Sequence, residues 1–211
     1  MTTRSVSERL AGTPAVRDTI MSAAAAARSG DGYAMTHAWL FTGPPGSGRS
    51  TAALAFAAAL MCENPDEIGC GRCAGCRDAL AGTHTDLVRV VPEGVFITVD
   101  FVREEIVKTA ARLPTVAPWR VVIIEDADRL NEQAADALLK TVEEPPERTV
   151  IIMCAPSDAP EDFSQTLRSR CRHLYIPSPS VENIVAQLVS EGASDHDARL
   201  AAVTSLRHVG R

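Results

Sequence analysis

Trp39-Leu40-Phe41-Thr42-Gly43-Pro44-Pro45-Gly46-Ser47-Gly48-Arg49-Ser50 runs an apolar, strand-like segment into a glycine-rich turn, and an Ala/Leu-rich segment follows from Ser50. That order has the outline of a nucleotide-binding P-loop. Glycines at 43, 46 and 48 let consecutive backbone N–H groups turn inward as a phosphate-sized nest at a helix N-terminus, where the helix dipole favours an anion. Gly43, Gly46, Gly48, Arg49 and Ser50 are therefore the candidate nucleotide contacts. The motif asks for Lys at position 49, and this chain has Arg. Lysine is a compact ammonium that fits between two phosphates, whereas arginine is a longer planar fork whose donors do not occupy the same point.

Upstream of this stretch, Thr13-Pro14 makes a cap and first-turn pair. Val16, Ile20, Ala23, Ala24 and Ala27 then recur at helical spacing until Ser29-Gly30-Asp31-Gly32. Residues 1–12 carry no periodic signal. Downstream, a helix is expected over about 49–61, and the Gly- and Cys-rich segment Cys62 to Arg77 interrupts the rhythm as an insertion. A second strand spans Asp86 to Val91. A helix with Val102, Ile106, Ala110 and Leu113 ends at Pro114. Val121-Val122-Ile123-Ile124 is too short for a helix and has the continuous apolar character of a central parallel strand. Asn131 caps a helix with Ala134, Leu138 and Val142 that stops at Pro145-Pro146. Strands follow at Thr149 to Cys154 and at about Arg172 to Ile176.

Five strands alternating with helices predict an α/β fold with a doubly wound parallel sheet, whose ligands bind at the carboxyl ends of the strands. After Pro177-Ser178-Pro179 only helical patterns remain. The expected organisation is a P-loop domain over 1–178 with the cysteine module at 62–76, then the start of a small helical lid domain over 179–211. The end at His208-Val209-Gly210-Arg211, with no closing structure, reads as a truncated chain.

The 211 residues are 45% hydrophobic and 23% charged, which suits one large or two small soluble domains. A net charge of −6 argues against a protein that grips nucleic acid by itself, because phosphate binding is carried by clustered Lys and Arg. Two Trp, two Tyr and five Phe are too few to suggest a base-stacking surface. No apolar stretch follows Arg4 and Arg9, and the longest apolar run, Ala52 to Met61, is too short to span a bilayer, so a cytoplasmic location is expected. In that compartment six cysteines read as metal ligands or core residues rather than disulfides.

Cys62, Cys70, Cys73 and Cys76 are spaced C-x7-C-x2-C-x2-C, with Gly69, Gly71 and Gly75 supplying tight turns. Two consecutive C-x2-C steps and four sulfur ligands fit a closed, structural zinc site with no open position for water. Buried free thiols, a labile redox pair or an iron–sulfur cluster are the other readings of the same residues. Glu125 and Asp126, after the third strand, stand where a P-loop enzyme holds Mg²⁺ and polarises water. The usual order is Asp then Glu, and here it is reversed; the bland reading is two solvated carboxylates. Ser169-Arg170-Cys171 offers either a solvated arginine or one that completes another subunit's active site. Cys154 and Cys171 read as core packing, and His37 and His84 as hydrogen-bonded structural residues.

Four features in sequence then carry a resemblance: Thr36-His37-Ala38-Trp39-Leu40-Phe41-Thr42-Gly43, the cysteine module, Ala137-Leu138-Leu139-Lys140-Thr141-Val142-Glu143-Glu144-Pro145-Pro146, and Ser169-Arg170-Cys171. Over roughly residues 34–178 the chain resembles the bacterial DNA polymerase III clamp-loader family. The resemblance implies an AAA+ fold, a zinc module and membership of a pentamer, with gamma/tau and delta subunits as partners, that opens the sliding clamp and places it on primed DNA. Three departures resemble the family's delta-prime branch more than its gamma/tau motors: Arg49, the reversed pair Glu125-Asp126, and Cys154-Ala155-Pro156 where motors place a polar sensor, leaving only Ser157 nearby. Together they imply a degenerate nucleotide site, poorly equipped to hold ATP or ADP. Arg170 matches the family's arginine finger, inserted into a neighbour's ATP site, and Arg211 falls near the family's second sensor arginine. The family's third, collar domain is expected to be missing from these 211 residues. The expectation is a non-hydrolysing stator that donates Arg170 in trans. The alternatives are a gamma/tau-type motor in which Arg49 still binds ATP, or a zinc-dependent nucleic-acid-binding module.

Overall fold

Alternation along the first strand sorts its side chains into two layers: Trp39 and Phe41 enter one core, Ala38 and Leu40 the other. The computed structural model describes residues 4–30, 35–190 and 192–208. In chain order the elements are α1 (Val6–Arg9), α2 (Pro14–Ser29), β1 (Ala38–Thr42), α3 (Arg49–Leu60), α4 (Ala74–Ala81), β2 (Leu87–Val90), α5 (99–110), β3 (Arg120–Ile124), α6 (Glu132–Glu143), β4 (Thr149–Ala155), α7 (Gln165–Arg168), β5 (Arg172–Tyr175), α8 (Val181–Ser190) and α9 (Asp195–His208).

The five strands form one parallel sheet in the order β2-β3-β4-β1-β5. Every residue of β1, β3 and β4 is buried, as expected of strands covered on both faces. Helices α1 to α4 pack on the face that carries Trp39, Phe41, Val121, Ile123, Val150 and Ile152. On that side the Trp39 ring meets Phe56 of α3 edge-on at 5.1 Å, and the Ala-rich face of α3 brings the helix close to the sheet. Helices α5, α6 and α7 cover the other face, around Leu40, Val122, Ile124, Ile151 and Met153. Burying apolar side chains this way, at about 25 cal/mol per Å², is the main force holding the three layers together.

Some elements depart from the sequence reading. The stretch that carries no periodic signal in the sequence holds the single turn α1, closed by a capping box in which Ser5 and Glu8 satisfy each other's backbone N–H groups. The cysteine segment is not all loop, because Cys73 caps α4, which runs on to a left-handed Gly82. Helix α5 begins at Val99 under a Thr98 cap and widens to i→i+5 bonding over Val102–Val107, with the Lys108 N–H reaching the Arg103 carbonyl. It ends at Ala110, so Leu113 lies outside it and is 62% exposed. The chain between α5 and β3 is held by a buried carboxylate instead. Asp86 accepts from the backbone N–H groups of Thr115, Val116 and Ala117 at 2.8, 2.7 and 2.8 Å and from the Arg120 guanidinium at 3.1 Å. Among the described residues no helix is long and apolar enough to cross a membrane. Asp31, Gly32, Val209, Gly210 and Arg211, named in the sequence reading, lie outside the described residues.

Candidate functional site

Because the sheet is parallel, the carboxyl ends of all five strands fall on one side, and β1 emerges there between β4 and β5. The turn after β1 therefore has to fit between two neighbouring strand ends. The Gly43 N–H donates to the Pro156 carbonyl beyond β4 at 3.2 Å. On the other side, a Cβ on Gly43 would stand 2.1 Å from the Ile176 carbonyl oxygen, so only glycine fits. Gly48, left-handed at φ +91°, then turns the chain into α3. A cleft of about 540 Å³ opens over Gly46, Ser47 and Gly48, walled by the segment before α2 and by α8. Ser47 Oγ, which lines this cleft, is buried without a hydrogen-bond partner, and so is Arg49 Nη1, which lies outside the cleft's lining near Asp128 and Cys154. Buried donors are normally satisfied, and an anion in the turn would supply what Ser47 lacks.

The carboxylates behave differently from one another. Both oxygens of Glu125, which is buried, are engaged: Ser50 Oγ donates to Oε2 at 2.7 Å and Arg89 Nε to Oε1 at 2.9 Å. The chain thus places Glu125 against the P-loop serine, and an arginine from β2 neutralises it. Asp126 takes a left-handed backbone at φ 46° and pairs with Arg129 at 3.3 Å. Burial pushes the Asp128 carboxyl up, Asp126 adds to that, and the charges of Arg49 and Arg129 oppose it. Cys154, at the end of β4, is a thiol that burial, reinforced by Glu125, holds well above its ordinary value, so it stays neutral and unreactive. Ser157, the hydroxyl near the expected sensor position, donates to Asp162 at 2.5 Å and accepts from the Ala159 N–H at 3.2 Å.

Arg170 is remote from this turn. It lies two residues before β5, whereas the P-loop follows the carboxyl end of the parallel neighbour β1, so the two stand toward opposite ends of the sheet. Its side chain is 37% exposed. Nε donates to Glu143 at the end of α6 at 2.5 Å, and Nη1 donates to the Thr166 carbonyl at 2.9 Å and to Ser169 Oγ at 3.2 Å. The guanidinium is held at the surface by a partner it can exchange. Burial pushes the adjacent Cys171 thiol up to about 12, which fits packing rather than reactivity.

The four cysteines of the module converge, with their sulfur atoms all within 4.8 Å of one another. A tetrahedral zinc with Zn–S near 2.3 Å needs sulfurs about 3.8 Å apart. Cys62 and Cys73 already stand at 4.0 Å. Backbone N–H groups of Cys70, Cys73 and Cys76 donate to the sulfurs of Cys62, Cys70 and Cys73 at 3.4, 3.4 and 3.3 Å, but burial still pushes the Cys73 and Cys76 thiols up. For Cys70, burial works against ionisation, and the N–H bonds from Arg72 and Cys73 outweigh it and bring the thiol down to about 7. The donor set and spacing fit a closed four-sulfur metal site.

Several residues that build these sites escape local spacing arguments. Arg89 lies 36 residues from Glu125 in sequence, and Glu143 lies 27 from Arg170. Arg28 of α2 donates to the carbonyls of Cys62 and Asn64 at 3.0 and 2.8 Å and so holds the cysteine loop from outside. The one sequence-level signal for Arg89 is a charged residue inside an otherwise apolar strand, Leu87-Val88-Arg89-Val90. His37 and His84 bond to backbone groups, the Thr149 carbonyl and the Asp86 N–H, each at 3.0 Å.

Residues 25–180 match the family described as DNA polymerase III, delta subunit. The DNA polymerase III subunit delta' of Escherichia coli is 40% identical over 172 residues, covering 79% of this chain and 50% of that one. The DNA polymerase III subunit tau of Bacillus subtilis is 33% identical over 156 residues, covering 72% of this chain and 27% of that one. Among solved structures, a DNA polymerase III gamma subunit-related protein of Thermotoga maritima superposes with a TM-score of 0.53 at 21% identity, covering 81% of this chain and 52% of that one. That likeness is one of fold alone. The chain spans about half the length of the curated delta' relatives it matches.

Proposed function

The chain belongs to the DNA polymerase III delta-prime subunit family, and we propose that it serves the clamp loader as a stator: it does not turn over ATP itself and lends Arg170 to a neighbouring ATPase subunit. The observation that carries this reading is the state of Glu125. In a P-loop enzyme the P-loop Ser/Thr and a carboxylate after this strand hold Mg²⁺ together, and a cation already paired with that carboxylate competes with the metal. Here Arg89 and Ser50 occupy both of its oxygens, beside an arginine at position 49. The cradle still offers Ser47 Oγ to a phosphate, so a static nucleotide is compatible with it and a hydrolytic role is not assigned to it.

The position of Arg170 supports a role in trans. It lies away from its own P-loop, half-exposed and held by Glu143, and an arginine supplied to a neighbour's transition state is worth about 10³–10⁵ in rate in phosphoryl transfer. The proposed partners are the gamma/tau and delta subunits, and through them the sliding clamp and primed DNA. The domain division proposed is the P-loop body over 1–178 and the helical segment from 179.

The cysteine module is proposed to hold one structural zinc. The expected outcome is one zinc per chain by elemental analysis, lost with a thiol-reactive chelator; iron with visible charge-transfer bands would replace zinc with a cluster. The stator reading is tested by steady-state ATP hydrolysis with the isolated protein. Turnover at motor-like rates that disappears in Glu125→Ala would return the chain to the gamma/tau class. Background turnover, the same in wild type and variant, is the outcome expected.

A further inference from the structure

The segment 4–13 is anchored at two separate places. At the first, the Val6 N–H donates to the Gly69 carbonyl at 2.8 Å, and the fully buried Val6 side chain joins the same core as Cys62, Cys70 and Cys76. The approach is tight enough to require glycines on the other side. A Cβ on Gly71 would stand 2.1 Å from the Arg4 carbonyl oxygen, and one on Gly69 would stand 2.7 Å from the Val6 side chain. Gly69 and Gly71 flank Cys70, so the loop that brings this sulfur into the cluster is also the surface against which the segment rests. At the second place, Asn183 of α8 donates to the Gly12 carbonyl at 3.1 Å.

Between these anchors Arg4, Glu8 and Arg9 line the cleft that opens over Gly46, Ser47 and Gly48. The only helix in the segment, α1, is one turn long, far below the length at which a helix holds itself in water. Its place is therefore set by what it packs against. A metal bound by Cys62, Cys70, Cys73 and Cys76 fixes the Gly69–Gly71 loop, and a loose loop would lose both the Val6 hydrogen bond and the close packing.

We propose that the four-cysteine module is a clip that keeps residues 4–13 in place as one wall of the P-loop cleft, so that metal occupancy and the order of this wall are coupled. The inference rests on the reading of the module as a metal site. Coupling of this kind is reciprocal: whatever the metal does for the wall, the wall does for the metal.

The test is hydrogen exchange read by mass spectrometry on the zinc-loaded and chelator-stripped protein, with metal content measured first. Stripping is expected to speed exchange in the 4–13 peptide by about tenfold, the factor that loss of roughly one hydrogen bond with its packing corresponds to. Peptides of β3 and β4 should stay protected. The reciprocal arm is Val6→Ser, which keeps all four cysteines; it is expected to release zinc to a chromogenic chelator about tenfold faster while β3 and β4 stay protected. If no metal is bound, the metal reading and the clip both fail. If zinc is bound and stripping leaves exchange at 4–13 unchanged, the clip fails while the metal reading stands. Should stripping expose β3 and β4 as well, the release rate decides, and a Val6→Ser rate equal to wild type overturns the clip.

Discussion

A cation already paired with the carboxylate beside a P-loop competes with the metal for it, and at this site one residue from a different strand is that cation. Arg89 pairs with Glu125 at 2.9 Å, and Ser50 takes the other oxygen. Position 49 alone therefore does not determine the pocket. Arg49→Lys restores the compact ammonium but leaves Glu125 tied, whereas Arg49→Lys combined with Arg89→Ala also frees the carboxylate. The double variant is expected to bind a fluorescent ATP analogue with Mg²⁺ at least about tenfold more tightly than wild type, the value of one charge-assisted hydrogen bond. The single Arg49→Lys variant should gain less. Equal affinity in all three proteins, by equilibrium titration, would mean that Arg89 plays no part in silencing the site. None of this is readable from motif spacing. The sequence shows the wrong residue at 49 and the reversed pair at 125–126, while the arginine that engages Glu125 becomes visible only when β2 and β3 lie side by side.

At the scale of elements, the connection from α5 to β3 depends on Asp86, a residue that reads in sequence as the polar start of a strand. It is fully buried, and three backbone N–H groups and the buried Arg120 converge on it. Burial acts to raise its carboxyl, and the N–H groups of Ala117, Val116 and Thr115 overcome that and hold it below the ordinary aspartate value. Asp86→Asn leaves Arg120 buried and unpaired and is expected to cost about 3–5 kcal/mol in a denaturant titration. The sign of the pH dependence follows from the lowered value. The contribution of Asp86 is complete above about pH 4, where the unfolded chain's aspartates are ionised, and is lost as pH falls through the lower folded-state value. The gap in stability between wild type and Asp86→Asn should therefore be largest at neutral pH and narrow in acid; a gap that widens on acidification contradicts the assignment. Elements with strong local patterns were legible beforehand: β3 and β4 as unbroken apolar runs, α2 and α6 from their periodicity and caps. Helices α1 and α4 were not, because one is a single turn signalled only by Ser5-x-x-Glu8 and the other begins inside a segment whose cysteines and glycines mask helical periodicity.

At the scale of the whole molecule, the sheet separates the two proposed sites by polarity: the glycine-rich turn lies at the carboxyl ends of the strands, and Arg170 enters toward the amino end of β5. The five-stranded parallel sheet was readable from the alternation of strands and helices, and the convergence of the four cysteines from their spacing. The distance between Arg170 and its own P-loop was not, since it depends on β5 pairing with β1 rather than on chain order. On the proposed reading, a protein built this way lends its arginine to another subunit and keeps its own pocket closed to metal chemistry. The measurement that bears most directly on that claim is the ATPase rate of a clamp loader assembled with gamma/tau and delta partners, carrying either wild-type chain or Arg170→Ala, with assembly followed by size exclusion. Intact assembly with a lower rate, by up to ~10³-fold at the one site the arginine serves, is the result predicted. An unchanged rate in an intact loader would contradict it.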